Sequence, residues 1–116
     1  MSGIVFFATE DENRVVEFYQ EYADAEVWVE QDGCTILANG EFKFGFCERE
    51  RTDDCGILTF YYDDRAAVDA AYERLGDRAG DPPSVNEQYD IYQCFAADPD
   101  GRTVEFQTFL HPLPDE

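Results

Sequence analysis

The chain of 116 residues states one pattern twice, and a repeat of that kind restricts the fold more than composition does. Adding 53 to a residue number carries Ile4 to Ile57, Asp11 to Asp64, and the set Val15, Phe18, Tyr19, Tyr22 onto Val68, Ala71, Tyr72, Leu75. Each set recurs at i, i+3, i+4 and i+7, one apolar stripe along a helix, and Glu12, Glu17 and Glu21 fall away from the first stripe. Ahead of that helix, Ile4 to Ala8 is an apolar run of strand length, and Thr9-Glu10-Asp11-Glu12 fits a capping box. Behind it, Val27 and Val29 alternate with Glu26, Trp28 and Glu30. The turns Asp32-Gly33 and Asn39-Gly40 then flank a strand from Cys34 to Ala38, and another runs from Phe42 to Cys47.

The second copy keeps this order. Its helix stops near Gly76 to Gly80, Asp81-Pro82-Pro83 bars continuation, and strands follow near Val85 and from Tyr89 to Ala96. The turn Asp100-Gly101 matches Asn39-Gly40 at an offset of 61, with the extra residues in loops. The segment Glu48-Arg49-Glu50-Arg51-Thr52-Asp53-Asp54 is too polar for a core. The pattern predicts an α+β fold in a single domain: a βαβββ module at about 1–48, a linker at 49–54, a second module at about 55–110 and a short tail at 111–116.

With 27 acidic against 8 basic residues the formal net charge is −19, and Lys43 is the sole lysine. Such a surface repels nucleic acid and anionic membranes, so neither is expected as a partner. Hydrophobic residues at 44% and aromatics at 16% argue for a packed core rather than disorder. The acid-rich, lysine-poor composition is similar to that of halophilic proteins, in which salt screens self-repulsion. No apolar run reaches membrane-spanning length and no signal peptide is evident, so a soluble, cytoplasmic protein is expected. Cys34, Cys47, Cys55 and Cys94 form no CxxC or close pair, which indicates neither zinc nor a redox motif; reduced, mostly buried thiols are expected.

Nine residues, Asp98-Pro99-Asp100-Gly101-Arg102-Thr103-Val104-Glu105-Phe106, combine a tight turn, a strand and a carboxylate. Asp-Gly between extended runs is a hairpin signal, because glycine supplies the positive φ that the turn needs. Beyond it, Thr103, Glu105 and Gln107 alternate with Val104, Phe106 and Thr108, so Glu105 projects from mid-strand. Taken alone, those residues also describe an edge strand with its polar face in water.

Two βαβββ modules, the Phe18-Tyr19 pair in the first helix and the closing Asp98-Pro99-Asp100-Gly101-x-x-x-Glu105-Phe106 together resemble the vicinal oxygen chelate superfamily, which includes glyoxalase I, bleomycin-resistance proteins and extradiol dioxygenases. The resemblance spans nearly the whole chain. It implies that each module curls its mixed sheet into half a cup with the helices outside, often completed across a homodimer. It also implies metal-ligand positions on the first and last strand of each module, which by the repeat are Ile4, Phe44, Ile57 and Glu105. Glu105 alone among them can hold a metal, and one carboxylate beside three hydrocarbon groups cannot replace a metal's water shell, so no metal or other cofactor is expected. Cys55 or Thr59 enters the set only if the strand shifts by one residue. His111, the sole histidine, lies in the Pro-rich tail and is expected to be exposed.

Strand alternation assigns to the cup Ile4, Phe6 and Ala8, then Phe42, Phe44 and Phe46, then Ile57, Thr59 and Tyr61, and finally Thr103, Glu105, Gln107 and Phe109. It leaves Lys43, Gly45 and Cys47 facing the helix, an uncomfortable place for a lysine that a bulge or register shift would relieve. The candidate ligand-binding residues are thus Phe6, Phe44, Phe46, Thr59, Tyr61, Glu105 and Gln107, with Glu105 also the candidate catalytic acid or base. Aromatic walls with sparse polar groups suit a small molecule, which leads to metal-independent binding of an aromatic or cationic ligand in the manner of bleomycin-resistance proteins. The alternatives are a lyase or isomerase using Glu105 or an atypically held metal, and a dimeric scaffold with a filled cavity. A homodimer is expected, since two curled half-sheets leave strand edges and apolar rims that a second copy can cover.

The charge balance generates a first testable expectation. Between 0.1 M and 1 M KCl the Debye length falls from about 10 Å to about 3 Å. The melting temperature should therefore climb with salt; a flat profile over that interval would refute the halophilic reading.

Overall fold

Stripes and turns resolve into eight strands and two helices among residues 1–114, which a computed structural model describes. In order these are β1 (Ile4–Thr9), α1 (Glu12–Tyr22), β2 (Glu26–Gln31), β3 (Cys34–Asn39), β4 (Phe42–Glu48), β5 (Ile57–Tyr62), α2 (Arg65–Leu75), β6 (Ser84–Asn86), β7 (Ile91–Ala97) and β8 (Thr103–Phe109). The strands make two mixed four-stranded sheets, ordered β1-β4-β3-β2 and β5-β8-β7-β6. In each sheet the first strand of the module runs parallel to the last, and the other pairings are antiparallel. The α+β class and the two βαβββ modules therefore stand as the repeat implied. The chain divides into two compact units, one comprising Met1–Cys55 with Asp98–Arg102 and the other Gly56–Ala97 with the chain from Thr103 onward.

In the first unit the helix starts two residues later than a cap at Thr9 would place it. Asp11 is the N-cap and accepts from the Arg14 N–H at 3.2 Å, while the Thr9 hydroxyl accepts from the Asp11 N–H. Asp64, its counterpart in the repeat, caps α2 in the same way, accepting from the Ala67 N–H at 2.9 Å. A short polar acceptor at that position satisfies an orphan amide and fixes where each helix begins. Glu12 does not face water as expected: its carboxylate accepts from the Thr35 hydroxyl of β3.

Strand β4 reverses the expected alternation. Phe44 and Phe46 are fully buried against Tyr19 of α1, with ring centroids 5.3 Å from Tyr19 in both cases. Lys43 pairs with Ile4 and Gly45 with Phe6, which places these four on the opposite face. Since Ile4 pairs with Lys43 and Ile57 with Thr103, the repeat in these strands runs at an offset of 60 rather than 61, so Phe46 corresponds to Phe106 and Gly45 to Glu105. Desolvating a lysine costs far more than desolvating a phenylalanine, and this cost selects the face. Lys43 instead lies over the Trp28 ring, its Nζ 5.3 Å from the centroid.

The expectation of four reduced thiols is corrected for one pair. Cys34 and Cys47 are directly opposed across β3 and β4, with Cα atoms 4.1 Å apart, and they form a disulfide. The hairpin at Asn39-Gly40 sets that register, so residues 13 apart in sequence meet. Cys55 is free and exposed; Cys94 is free and buried, and burial pushes its thiol up to about 11.

The turn before β8 is held by a buried cation. Arg102 is fully buried; its Nη1 bonds Asp98 at 2.5 Å and its Nε donates to the Asp53 carbonyl at 2.9 Å. The guanidinium carbon lies 4.9 Å from the Phe7 ring and 5.1 Å from the Phe46 ring. Asp98 also accepts from the Tyr19 hydroxyl at 2.6 Å and from the backbone N–H groups of Asp100 and Arg102. Burial pulls the Arg102 pKa down, but Asp98, Tyr19 and Asp100 together overcome it and hold the guanidinium above its ordinary value. Burial, then Asp98, raises the Tyr19 phenol well above its usual range, so it stays a neutral donor.

Removing one partner of a desolvated pair leaves a bare charge, which costs about 3–5 kcal/mol. Urea unfolding of Arg102→Met should show a loss of that order. A loss below about 1 kcal/mol would mean that aromatic packing alone holds the turn.

Candidate functional site

In the second unit, parallel pairing of β5 with β8 places Ile57 beside Thr103, Thr59 beside Glu105 and Tyr61 beside Gln107. Alternation then separates these residues from Leu58, Phe60, Val104 and Phe106, which are buried on the α2 side. Antiparallel β7 adds Phe95 opposite Glu105 and Gln93 opposite Gln107. The face turned away from α2 forms a cavity of about 560 Å³ within this unit. Glu105 and Gln107 stand in its wall with Gln93, and Phe95, Phe109 and Tyr89 supply aromatic surface.

Glu105 is only 9% exposed, yet both carboxylate oxygens have partners. The Thr59 hydroxyl donates to Oε1 at 2.8 Å, and the Gln93 amide donates to Oε2. An ionised carboxylate has about four acceptor positions, so each oxygen retains capacity for a further donor. The two fixed donors set the plane of the group, and none of the residues lining the cavity is Lys or Arg. Gln107 is 8% exposed, and its Oε1 is buried without a hydrogen-bond partner. Such a group costs roughly 1–3 kcal/mol until a donor reaches it. Together these groups can accept hydrogen bonds, attract a cation, or let Glu105 move a proton.

Of the residues singled out from the sequence, Thr59, Glu105 and Gln107 lie together. Tyr61 is exposed, with its ring 5.6 Å from Phe109 of the same face. Phe6 is exposed on the first unit's sheet and covers Gly45, where a Cβ would meet its ring at 2.7 Å. Phe44 and Phe46 do not line this cavity, because β4 turns them into the α1 core. Gln93, Phe95, Tyr89 and Asn86 were missed, although the hairpin register about Asp98–Gly101 carries the first two onto the Glu105 face. His111 is not merely a tail residue: it is exposed, but it lines the cavity with its ring 5.5 Å from Phe109.

Nickel, zinc or iron would need several N, O or S donors converging on one point. The cavity offers one carboxylate and one exposed imidazole, His111, with a hydroxyl and amides around the carboxylate, and two such ligands fall short of the three or more that such an ion needs. Among the described residues no three His, Cys, Asp or Glu side chains group to hold an ion. In the first unit, Gly45 occupies the position that corresponds to Glu105 and brings no side-chain donor. These donors do not fit such a metal.

No family model matches the sequence, and no curated protein matches it. Solved structures do. A glyoxalase/bleomycin resistance protein/dioxygenase from Nocardioides is similar over 100% of this chain and 88% of its own, at 16% identity and a TM-score of 0.76. A glyoxalase/bleomycin resistance protein/dioxygenase family enzyme from Burkholderia phytofirmans PsJN covers 92% of this chain and 97% of its own, at 19% identity and TM-score 0.80. Lactoylglutathione lyase from Agrobacterium tumefaciens covers 93% and 92%, at 18% identity and TM-score 0.75. The chain therefore has the fold of the glyoxalase/bleomycin resistance protein/dioxygenase structures.

Proposed function

We propose that this protein belongs to the vicinal oxygen chelate superfamily and binds a small aromatic or cationic molecule in the second unit's cavity, without a metal. The carrying observation is an open cavity of about 560 Å³ with an oriented, nearly buried carboxylate in its wall. Ligand sites of this class measure roughly 300–1,000 Å³ and combine apolar walls with a few placed polar groups. Glu105 fixes the ligand, Thr59 and Gln93 hold Glu105, and Gln107 supplies a second polar contact. Phe95 and Phe109 give the aromatic surface, and Tyr61 packs against Phe109 without lining the cavity itself. An open cavity of that volume weighs against a scaffold with a filled interior.

The proposal extends to sequestration or sensing as the biological use, to a homodimer, and to a cytoplasmic setting rich in salt. No helix among the described residues is long and apolar enough to cross a membrane. A reducing cytosol would keep Cys34 and Cys47 as facing thiols rather than a bond.

The second reading is a lyase or isomerase with Glu105 as general acid or base. It rests on the fold shared with a lactoylglutathione lyase and on a carboxylate held by two donors. Binding is preferred because the cavity supplies no second acid or base beside Glu105 on the same face: its neighbours there are a hydroxyl and two amides.

Two measurements check this reading. Glu105→Gln keeps the size of the side chain and should leave the protein folded, while the melting-temperature shift given by cationic aromatic compounds in molar KCl should vanish. Equal shifts in the two proteins would move the site elsewhere. Elemental analysis of protein purified without chelator should find no stoichiometric nickel, zinc or iron, and lactoylglutathione lyase activity should be absent. One metal per chain would overturn the metal-free assignment.

A further inference from the structure

The cavity contains two acceptors of different kinds at neighbouring positions on one face. Glu105 is ionisable, has a plane set by Thr59 and Gln93, and has a free lone pair on each oxygen. Two residues along the strand, Gln107 has a buried Oε1 with no donor. No lysine or arginine among the lining residues can answer either group. The missing partner must therefore bring both a positive charge and at least two N–H vectors.

We infer that the ligand carries a planar N–C–N cation, an amidinium or guanidinium attached to an aromatic ring, with one N–H on Glu105 and the other on Gln107 Oε1. This rests on the proposed binding site and names the chemical class that it selects. A quaternary ammonium offers no N–H and leaves Gln107 unsatisfied. A primary ammonium has N–H groups, but all radiate from one nitrogen, and with bonds of about 2.9 Å a single nitrogen joins acceptors less than about 6 Å apart. Same-face positions on a strand have Cα atoms about 6.5–7 Å apart, and where parallel side chains keep that spacing two nitrogens on one planar carbon cover the span with both bonds straighter. Planarity also lets the attached ring lie against Phe95 and Phe109 without twisting the head group out of reach. An anion meets Glu105 with no lysine or arginine in the lining to offset it, and His111 is the one lining base, so carboxylates and phosphates are disfavoured.

The test uses the full chain in molar KCl and four probes of one size: benzamidinium, benzylammonium, benzamide and benzoate. Binding is followed by titration of backbone amide resonances. Benzamidinium should bind about tenfold or more tightly than benzylammonium or benzamide, benzoate should not bind, and the perturbed amides should include those of Gln93, Glu105 and Gln107. Gln107→Met should lower benzamidinium affinity about tenfold and leave benzylammonium unchanged, and Gln107→Asn, which withdraws the acceptor by one methylene, should do the same if the methionine variant fails to fold. Equal binding of benzylammonium and benzamidinium, or indifference of benzamidinium to both Gln107 variants, overturns the planar bridge but keeps the cavity as a ligand site. Binding of benzoate overturns the charge selection. If none of the probes perturbs the cavity amides, both the inference and the binding reading fall.

Discussion

A single buried cation governs the first unit of this molecule. Arg102 has no solvent to screen or hydrate it, so its charge must be met by Asp98, Asp100, the Asp53 carbonyl and the faces of Phe7 and Phe46. Those partners come from β1, β4, the segment after β4, and the turn before β8, and Tyr19 of α1 ties the helix to the same carboxylate. Five pieces of chain, remote in sequence, must therefore arrive together. In a protein of net charge −19, this pair is also shielded from the ions that modulate its surface. Salt acts on the acidic skin; the interior pair answers only to geometry.

Much of the architecture was legible because it rests on local physics. Helix stripes at i, i+3, i+4 and i+7 and glycines with positive φ at Gly40 and Gly101 mark elements wherever they occur, and a repeat doubles each signal. The Asp11 and Asp64 caps follow the same logic, although Thr9 competed as the cap and lost because its hydroxyl bonds the Asp11 amide instead. Arg102 was not legible. A charged residue next to a turn normally faces water, and only the assembled unit shows the carboxylate, carbonyl and rings that make burial tolerable.

The candidate site was half visible. Thr59, Glu105 and Gln107 follow from strand parity in the second module, where the chain runs without irregularity. The first module misled because its turn was aligned by glycine rather than by face, which turned Phe44 and Phe46 toward a cavity they do not reach. Lys43, next to Phe44, carried the contrary signal. Cys34 with Cys47, and Gln93 with Gln107, were recoverable by folding each hairpin about its turn and reading off opposed pairs. His111 had no local pattern to betray it, since a tail residue is placed by tertiary packing alone.

The one-residue difference in parity between the modules bears on how such a chain can change over time. Replacing Lys43 or Glu105 exchanges one functional group and leaves every neighbour on its own side. Deleting or inserting one residue in the Asn39–Gly40 turn has a different character, because it would rotate the whole of β4, bringing Phe44 and Phe46 to the exterior and driving Lys43 under α1. The strand that looks most tolerant of substitution is thus among the least tolerant of a change in length. Diversification of a fold built this way is expected to proceed by swapping side chains on fixed strands, with insertions confined to segments such as 79–90, where the pairing is short.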